Sequence, residues 1–207
     1  MHATAVILAA GESTKLPVPK AMLEYEKGKS FLRSIASSFR KAGCDVVAVV
    51  GYRGDEVRTQ NPDVRLLENS DWKSGQLGSA RVGIQAALDD GAEAIILHPV
   101  DMPTFRASTV KSLLEKLDGA EAVLPEFEGV TGRPVVLSRA AAEKVLRMDS
   151  SGTLESALPR LAVKKMATRD PGVMVNINSA EVYQRIFGQE PKAAPPPKKR
   201  GKAAAEE

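Results

Sequence analysis

Unbroken apolar runs alternate along this chain with stretches whose apolar residues recur three and four positions apart. The first run, Thr4-Ala5-Val6-Ile7-Leu8-Ala9-Ala10, shows no polar alternation, as expected of a strand buried on both faces of a parallel sheet. It stops at Gly11, where a side chain would obstruct a close approach of backbone to a ligand. A turn at Tyr25 to Lys29 precedes Ser30, which can cap a helix carrying Phe31, Leu32, Ile35 and Phe39 on one face. Gly43 ends that helix. Asp45 to Val50 reads as a second buried strand closed by Gly51, followed by a short helix at 55–59 and a third strand at 64–67. Strand and helix alternate, and right-handed crossovers turn that order into an α/β fold with a mostly parallel central sheet.

A polar, glycine-containing loop from Asn69 to Ala80 feeds a helix through Leu88. A fourth strand, Ala94 to Leu97, ends in His98-Pro99-Val100-Asp101-Met102-Pro103. The pattern then predicts a helix over 108–117, a strand over 120–124, and an arm from Glu126 to Arg133 with Gly129 and Gly132. A strand over 134–137 and helices over 139–147 and 153–161 follow, the helices separated by Asp149-Ser150-Ser151-Gly152. A late strand over 173–178 precedes a last helix over 179–187. Beyond it the composition turns to Pro, Lys, Ala and Glu, which cannot bury enough apolar surface to offset the entropy of ordering. The expected organisation is one domain at 1–188 and a disordered basic tail at 189–207.

Composition changes this picture little. With 43% hydrophobic and 27% charged residues, the 207-residue chain is of the ordinary globular class. Five basic and three acidic residues beyond Gly188 place +2 of the +3 net charge in the tail. The domain is therefore nearly neutral, and 4% aromatic content leaves little to stack on bases. Nucleic acid is not an expected partner. Lys198-Lys199-Arg200 reads either as a contact for an acidic partner or as a solvated run, so the tail's partner stays open. No apolar stretch reaches membrane-spanning length and no secretory pattern opens the chain. One cysteine, Cys44, excludes an intrachain disulfide and fits a reducing cytoplasm. It precedes an apolar run and reads as a small buried hydrophobe.

Ligands of open α/β sheets gather outside the carboxyl ends of the strands. Gly11, Lys15 and Lys20 follow the first strand, with no acid between the two lysines. Backbone N–H groups and ammonium charges there suit an anion such as a triphosphate, although the same residues also read as a loop with two solvated lysines. The spacing matches neither a dinucleotide fingerprint nor a P-loop. Asp101 ends the fourth strand on the same rim. Mg²⁺ takes oxygen ligands and usually only one or two from protein, which makes Asp101 a candidate ligand, with Asn176 or Asn178 as a second. The bland alternatives are a turn carboxylate between prolines and a strand amide with its bonds satisfied. Gln76, Gly78 and Ser79 can meet a nucleobase, glutamine offering a donor and an acceptor together; equally, Ser74 or Ser79 can cap a helix. Arg133 faces either an anion or solvent. His98, at the end of a buried strand, reads as structural, since no zinc-type cluster surrounds it.

These residues resemble the nucleotidyltransferases of MobA-like fold, nearest to the molybdenum-cofactor cytidylyltransferases. The family signature Leu-Ala-Ala-Gly-x-Ser-x-Arg-Met-Gly stands here as Leu8-Ala9-Ala10-Gly11-Glu12-Ser13-Thr14-Lys15-Leu16-Pro17, followed by Lys20. Further likeness lies at Asn69 to Gly75, Val100 to Pro103, Gly132-Arg133-Pro134 and Asn176 to Ser179, so the resemblance spans roughly residues 4–187. It implies a three-layer Rossmann-like fold and Mg²⁺-dependent transfer of a nucleotidyl group to a small phosphorylated acceptor. By resemblance, Leu8, Ala9, Ala10 and Gly11 hold the nucleotide through backbone, Lys15 and Lys20 bind phosphate, and Asp101 and Asn176 bind the metal. Ala10 leans towards CTP and molybdopterin; Gln76 to Ala80 also resembles the base-reading loop of sugar-1-phosphate uridylyltransferases. Three positions depart from the pattern. Pro17 replaces glycine, Lys15 replaces arginine, and Asn176 and Asn178 stand where many cytidylyltransferases carry aspartates. A sugar-1-phosphate or phosphocholine-type acceptor, and a nucleotide-binding module without turnover, are the alternatives.

Overall fold

A computed structural model describes residues 1–148 and 153–197 of the chain. The opening run forms β1 (Ala3–Ala9), buried along its whole length. A hairpin of β2 (Glu24–Glu26) and β3 (Lys29–Ser30) leads into α1 (Phe31–Lys41). Ser30 caps α1 by accepting the Arg33 N–H, and Phe31, Leu32, Ile35 and Phe39 are fully buried beneath it, a contribution of about 1.5–3 kcal/mol each. Next come β4 (Asp45–Val50), α2 (Gly54–Gln60), β5 (Arg65–Glu68), α3 (Gln76–Asp89) and β6 (Ala94–Pro99). The second half holds α4 (Ala107–Glu115), β7 (Ala122–Phe127), β8 (Val130–Thr131), β9 (Val135–Ser138), α5 (Arg139–Leu146), α6 (Leu154–Ala157), β10 (Val163–Ala167) and α7 (Ala180–Phe187).

The sheet runs in the order β10-β7-β9-β6-β1-β4-β5, with β8 paired to β7. Strands β6, β1, β4 and β5 are mutually parallel, and β9 alone among the central strands runs antiparallel to its neighbours. Side chains of β1 alternate between two cores. Ala5, Ile7 and Ala9 join α1, α4 and α7 on one face, while Val6 and Leu8 join α3, α5 and α6 on the other. Helix, sheet and helix make three layers, the expected mostly parallel α/β architecture.

The structure corrects several local expectations. Residues 173–178 are not a strand. A 3₁₀ turn occupies Pro171–Met174, started by the proline and capped by Asp170, whose carboxylate accepts the Gly172 N–H at 3.0 Å. The apolar Val173 and Ile177 are buried from a loop instead. Val163–Ala167, where no strand is expected, is an edge strand whose side chains are mostly exposed. Lysines suit such an edge because they deter pairing with another chain. The turn expected at Tyr25 to Lys29 is the tip of the β2–β3 hairpin. Of the expected tail only 189–197 is described, and within it Ala193 bridges Leu23 in antiparallel fashion and Ala194 is buried, held by backbone bonds and by the Gln60 amide. The Asp149–Gly152 connection and the Lys198-Lys199-Arg200 run lie outside the described residues.

Candidate active site

The carboxyl ends of β1 and β6 open into a cleft of about 230 Å³, bordered by Leu8 to Ser13, Lys20, Trp72, Gln76, Ser79 and Pro99 to Asp101. Parallel pairing of β1 with β6 sets this convergence, because it brings both strands' ends to one rim. The Val100 N–H donates to the Leu8 carbonyl at 3.1 Å and the Tyr52 N–H to that of Ala10 at 3.0 Å. A Cβ placed on Gly11 would meet no atom within 4 Å, so a side chain there would intrude only on an occupant of the cleft.

Ser13 shapes the loop that follows. Its Oγ accepts the Lys20 N–H at 3.0 Å, and its carbonyl accepts the Leu16 N–H at 3.0 Å. The loop folds back and delivers Lys20 on a 3₁₀ turn, Lys20–Met22. The Lys20 Nζ donates to Asp101 Oδ2 at 2.8 Å, across 81 positions of sequence. Both side chains are mostly shielded, 22% and 16% exposed. The second oxygen, Asp101 Oδ1, is out of solvent and takes no hydrogen bond.

Two bonds fix the backbone around Asp101. Its carbonyl accepts the Ile177 N–H at 2.8 Å. His98 Nε2 meets the Met102 carbonyl at 2.8 Å, which assigns the proton to that nitrogen. His98 is completely buried against Phe39 and Phe105. Burial, joined by the Arg133 charge, drives its pKa down to about 3 despite the Met102 bond. It stays a neutral donor bracing the Pro99–Met102 turn, in the structural part expected of it, with Nδ1 unpartnered. Burial likewise pushes the Cys44 thiol up to about 11, which suits a core residue and not a nucleophile.

The first turn of α3 forms the opposite wall. No side chain caps this helix; Gly75 holds the cap position with φ of 128°. Ser74 donates to the Asp71 carbonyl at 2.8 Å, and the Ser79 Oγ accepts from Asn69 Nδ2 at 3.0 Å, so neither serine serves as the cap. Gln76 and Ser79 border the cleft, whereas Gly78 packs behind it, where a Cβ would stand 3.0 Å from Ser74 Oγ. Trp72, to which the sequence reading gave no role, lies on the wall with its ring 5.7 Å from that of Tyr52. Asn69, also without a role there, is buried and ties Ser79 to the Asp71 N–H. Their shared motif was the available signal; only the fold shows which of its residues turn inward.

Other expected residues lie elsewhere. Lys15 is exposed and does not border the cleft. Its charge is felt instead at Glu181 on α7, whose carboxyl is held below its usual range chiefly by Ser179. Asn176 and Asn178 are exposed on either side of Ile177, beside Asp101 in the chain path but outside the cleft wall. Arg133 is neither a surface charge nor an open anion contact: it is 15% exposed and ion-paired with Glu155. Asp170, without a role in the sequence reading, is a buried structural acid accepting from Arg106 N at 2.8 Å and Thr109 Oγ1 at 2.7 Å.

The donor set bears on a metal. Among the described residues, no three His, Cys, Asp or Glu side chains cluster as a metal cage. A single carboxylate with one unpartnered oxygen fits an ion that draws its other ligands from water and phosphate. No helix is long and apolar enough to cross a membrane among the described residues.

The chain resembles known proteins along most of its length. The family model described as "MobA-like NTP transferase domain" matches residues 5–165. The chain is 26% identical over 157 residues to the molybdenum cofactor cytidylyltransferase of Escherichia coli K12, covering 74% of this chain and 79% of that protein. It is 31% identical over 181 residues to a protein of Paenarthrobacter nicotinovorans named nicotine blue oxidoreductase, covering 83% and 79%. Among solved structures, Rv0371c of Mycobacterium tuberculosis H37Rv superposes with a TM-score of 0.76 at 23% identity, covering 91% of this chain and all of that one. A manganese complex of the same protein gives 0.71 at 22% identity, covering 91% of this chain and all of that one. Since the family model takes in most of the chain, the protein belongs to the MobA-like NTP transferase family and is a nucleotidyltransferase.

Proposed function

We propose that this protein moves a nucleotidyl group from a nucleoside triphosphate, CTP favoured, to a small phosphorylated acceptor, with molybdopterin the leading candidate. An acceptor oxygen forms a bond to the α-phosphorus, the bond from that phosphorus to the β-phosphate oxygen breaks, and pyrophosphate leaves. An acceptor phosphate is already anionic at neutral pH, so the reaction needs positioning and charge stabilisation more than a covalent nucleophile. The observation that carries the reading is the Lys20–Asp101 contact at 2.8 Å inside the cleft. It sets a cation for phosphate oxygens beside a carboxylate that still has an unpartnered oxygen.

In this reading the backbone of Leu8, Ala9, Ala10 and Gly11 cradles the nucleotide, and Lys20 meets the polyphosphate. Lys15 joins by swinging in from its exposed position. Gln76 reads the base edge, with Ser79 at the wall and Gly78 letting the loop pack closely behind. Asp101, with Asn176, would hold Mg²⁺, which when bound neutralises phosphate charge. A cytoplasmic setting is part of the proposal, supported by the lone buried thiol.

Pyrophosphate release measured with each of the four nucleoside triphosphates, against molybdopterin, a sugar-1-phosphate and phosphocholine, tests the reading. Release with CTP and molybdopterin is the expected result. A second reading, a nucleotide-binding module without turnover, is favoured by the exposed Asn176 and Asn178 and by Lys15 lying off the cleft. Saturable nucleotide binding with no release under any acceptor would decide for it. The oxidoreductase name of one relative makes this assay, rather than likeness, the deciding measurement.

A further inference from the structure

The segment beyond α7 is tied to the stretch of chain that carries Lys20. The Ala194 N–H donates to the Met22 carbonyl at 2.9 Å, and the Glu24 N–H donates to the Lys192 carbonyl at 3.0 Å. Lys192 Nζ pairs with the Glu24 carboxylate at 3.2 Å, where Glu24 is 10% exposed. Gln60, at the end of α2 and 6% exposed, closes the junction. Its Nε2 donates to the Met22 carbonyl at 3.3 Å and also to the Ala194 carbonyl. Three segments distant in sequence therefore meet on Met22, two residues from Lys20.

That junction has a task, because the turn it holds is weak by itself. Lys20–Met22 is a three-residue 3₁₀ turn with no side-chain cap. Its own bonds are Met22 N–H to the Pro19 carbonyl at 2.8 Å and Leu23 N–H to that of Lys20 at 3.1 Å. So short a piece does not hold its geometry alone. Ser13 anchors its first residue. On the far side, the anchors are the strap and Gln60, together with the buried Leu23. A buried amide costs free energy unless bonded, and both of Gln60's bonds are spent on this junction while its Oε1 has no partner.

We infer that Gln60 and the segment Lys192 to Ala194 are positioning elements for Lys20, fixing the turn from which its ammonium reaches Asp101. The consequence for nucleotide affinity rests on the function proposed above; the mechanical link does not.

The full chain carrying Ala194→Glu tests this, since a charged side chain does not fit a site 3% exposed. Two measurements read the link without reference to activity. One is hydrogen exchange at the Leu23 and Glu24 amides; the other is the rate at which a small amine-acylating reagent labels Lys20. Both are expected to rise about tenfold, equivalent to ~1.4 kcal/mol. The KM for CTP is expected to rise by about the same factor, and to rise more than turnover at saturation falls. Gln60→Met, which keeps the volume and loses both donors, should act in the same direction. Ala194→Ser, which fits the site, should match the parent. Unchanged exchange and labelling in both disruptive variants would overturn the strap. Faster exchange with unchanged labelling of Lys20 would overturn its positioning role. If no nucleotide is turned over at all, the labelling and exchange still decide the link, so failure of the proposed activity is read separately.

Discussion

Acidification should destabilise this protein in part through one side chain, His98. In the folded chain its imidazole is fully buried and its pKa is driven down to about 3, against 6.5 for a free histidine. The unfolded chain therefore takes up a proton near 6.5 while the folded chain refuses it until about 3. Between those values unfolding binds a proton, so stability falls as pH falls, at about 1.36 kcal/mol per pH unit. Its contribution is fully present above the unfolded value and drains away below it. From about pH 7 to about pH 4.5 the loss amounts to about 2.5 kcal/mol, a sizeable share of the ~5–15 kcal/mol typical of a domain. The assay is urea unfolding, followed by circular dichroism, at a series of pH values for the parent and for His98→Gln. Glutamine keeps a donor for the Met102 carbonyl but does not titrate in this range. The variant should be less stable near neutrality, and its stability should fall less steeply, so the two curves converge towards pH 4.5. Parallel curves would refute the reasoning.

Other consequences are equally direct. Lys20→Ala and Asp101→Asn should each cut pyrophosphate release about 10²–10³-fold with circular dichroism unchanged; normal turnover in either would remove them from the site. Chelation by EDTA should abolish release and added Mg²⁺ should restore it, and release that persists after exhaustive chelation would dismiss the metal. Gly83→Ala should destabilise by about 1–3 kcal/mol through overpacking, since its Cβ would lie 2.1 Å from Val6 Cγ1 across the α3–β1 contact. Adding Val6→Ala should recover most of that loss in thermal unfolding, and no recovery would show that the clash is not the cause. Gln76→Ala should flatten the preference among the four nucleoside triphosphates by about tenfold, the worth of one good hydrogen-bonded contact.

The chain's apolar periodicity determined its class and most of its elements. Runs such as Ala5 to Ala9 and Asp45 to Val50 have no polar face, so they can only be central strands, and Ser30 marks the start of α1 through its own hydroxyl. Parallel pairing then follows, and with it the shared rim of Gly11, Lys20 and Asp101. Where the pattern failed, non-local bonding had overridden it. The stretch 173–178 looks like a strand, but Pro171, the Asp170 cap and the Ile177 bond to Asp101 make it a loop. The strand at 163–167 looks like a charged loop because an edge needs no buried face.

Tertiary structure alone decided the finer points of the site. Lys15 and Lys20 are five apart in sequence and look equivalent, yet the Ser13 hydroxyl turns only Lys20 inward, leaving Lys15 near α7. Ser74 and Ser79 looked like caps until Asn69 and Asp71 claimed them. Residues 189–197 carry little apolar area, so nothing in their composition announced the backbone bonds of Lys192 and Ala194 to Glu24 and Met22. Hydrophobic pattern is written locally and can be read locally; which polar groups satisfy one another depends on partners scores of residues away, and those become neighbours only once the chain has folded.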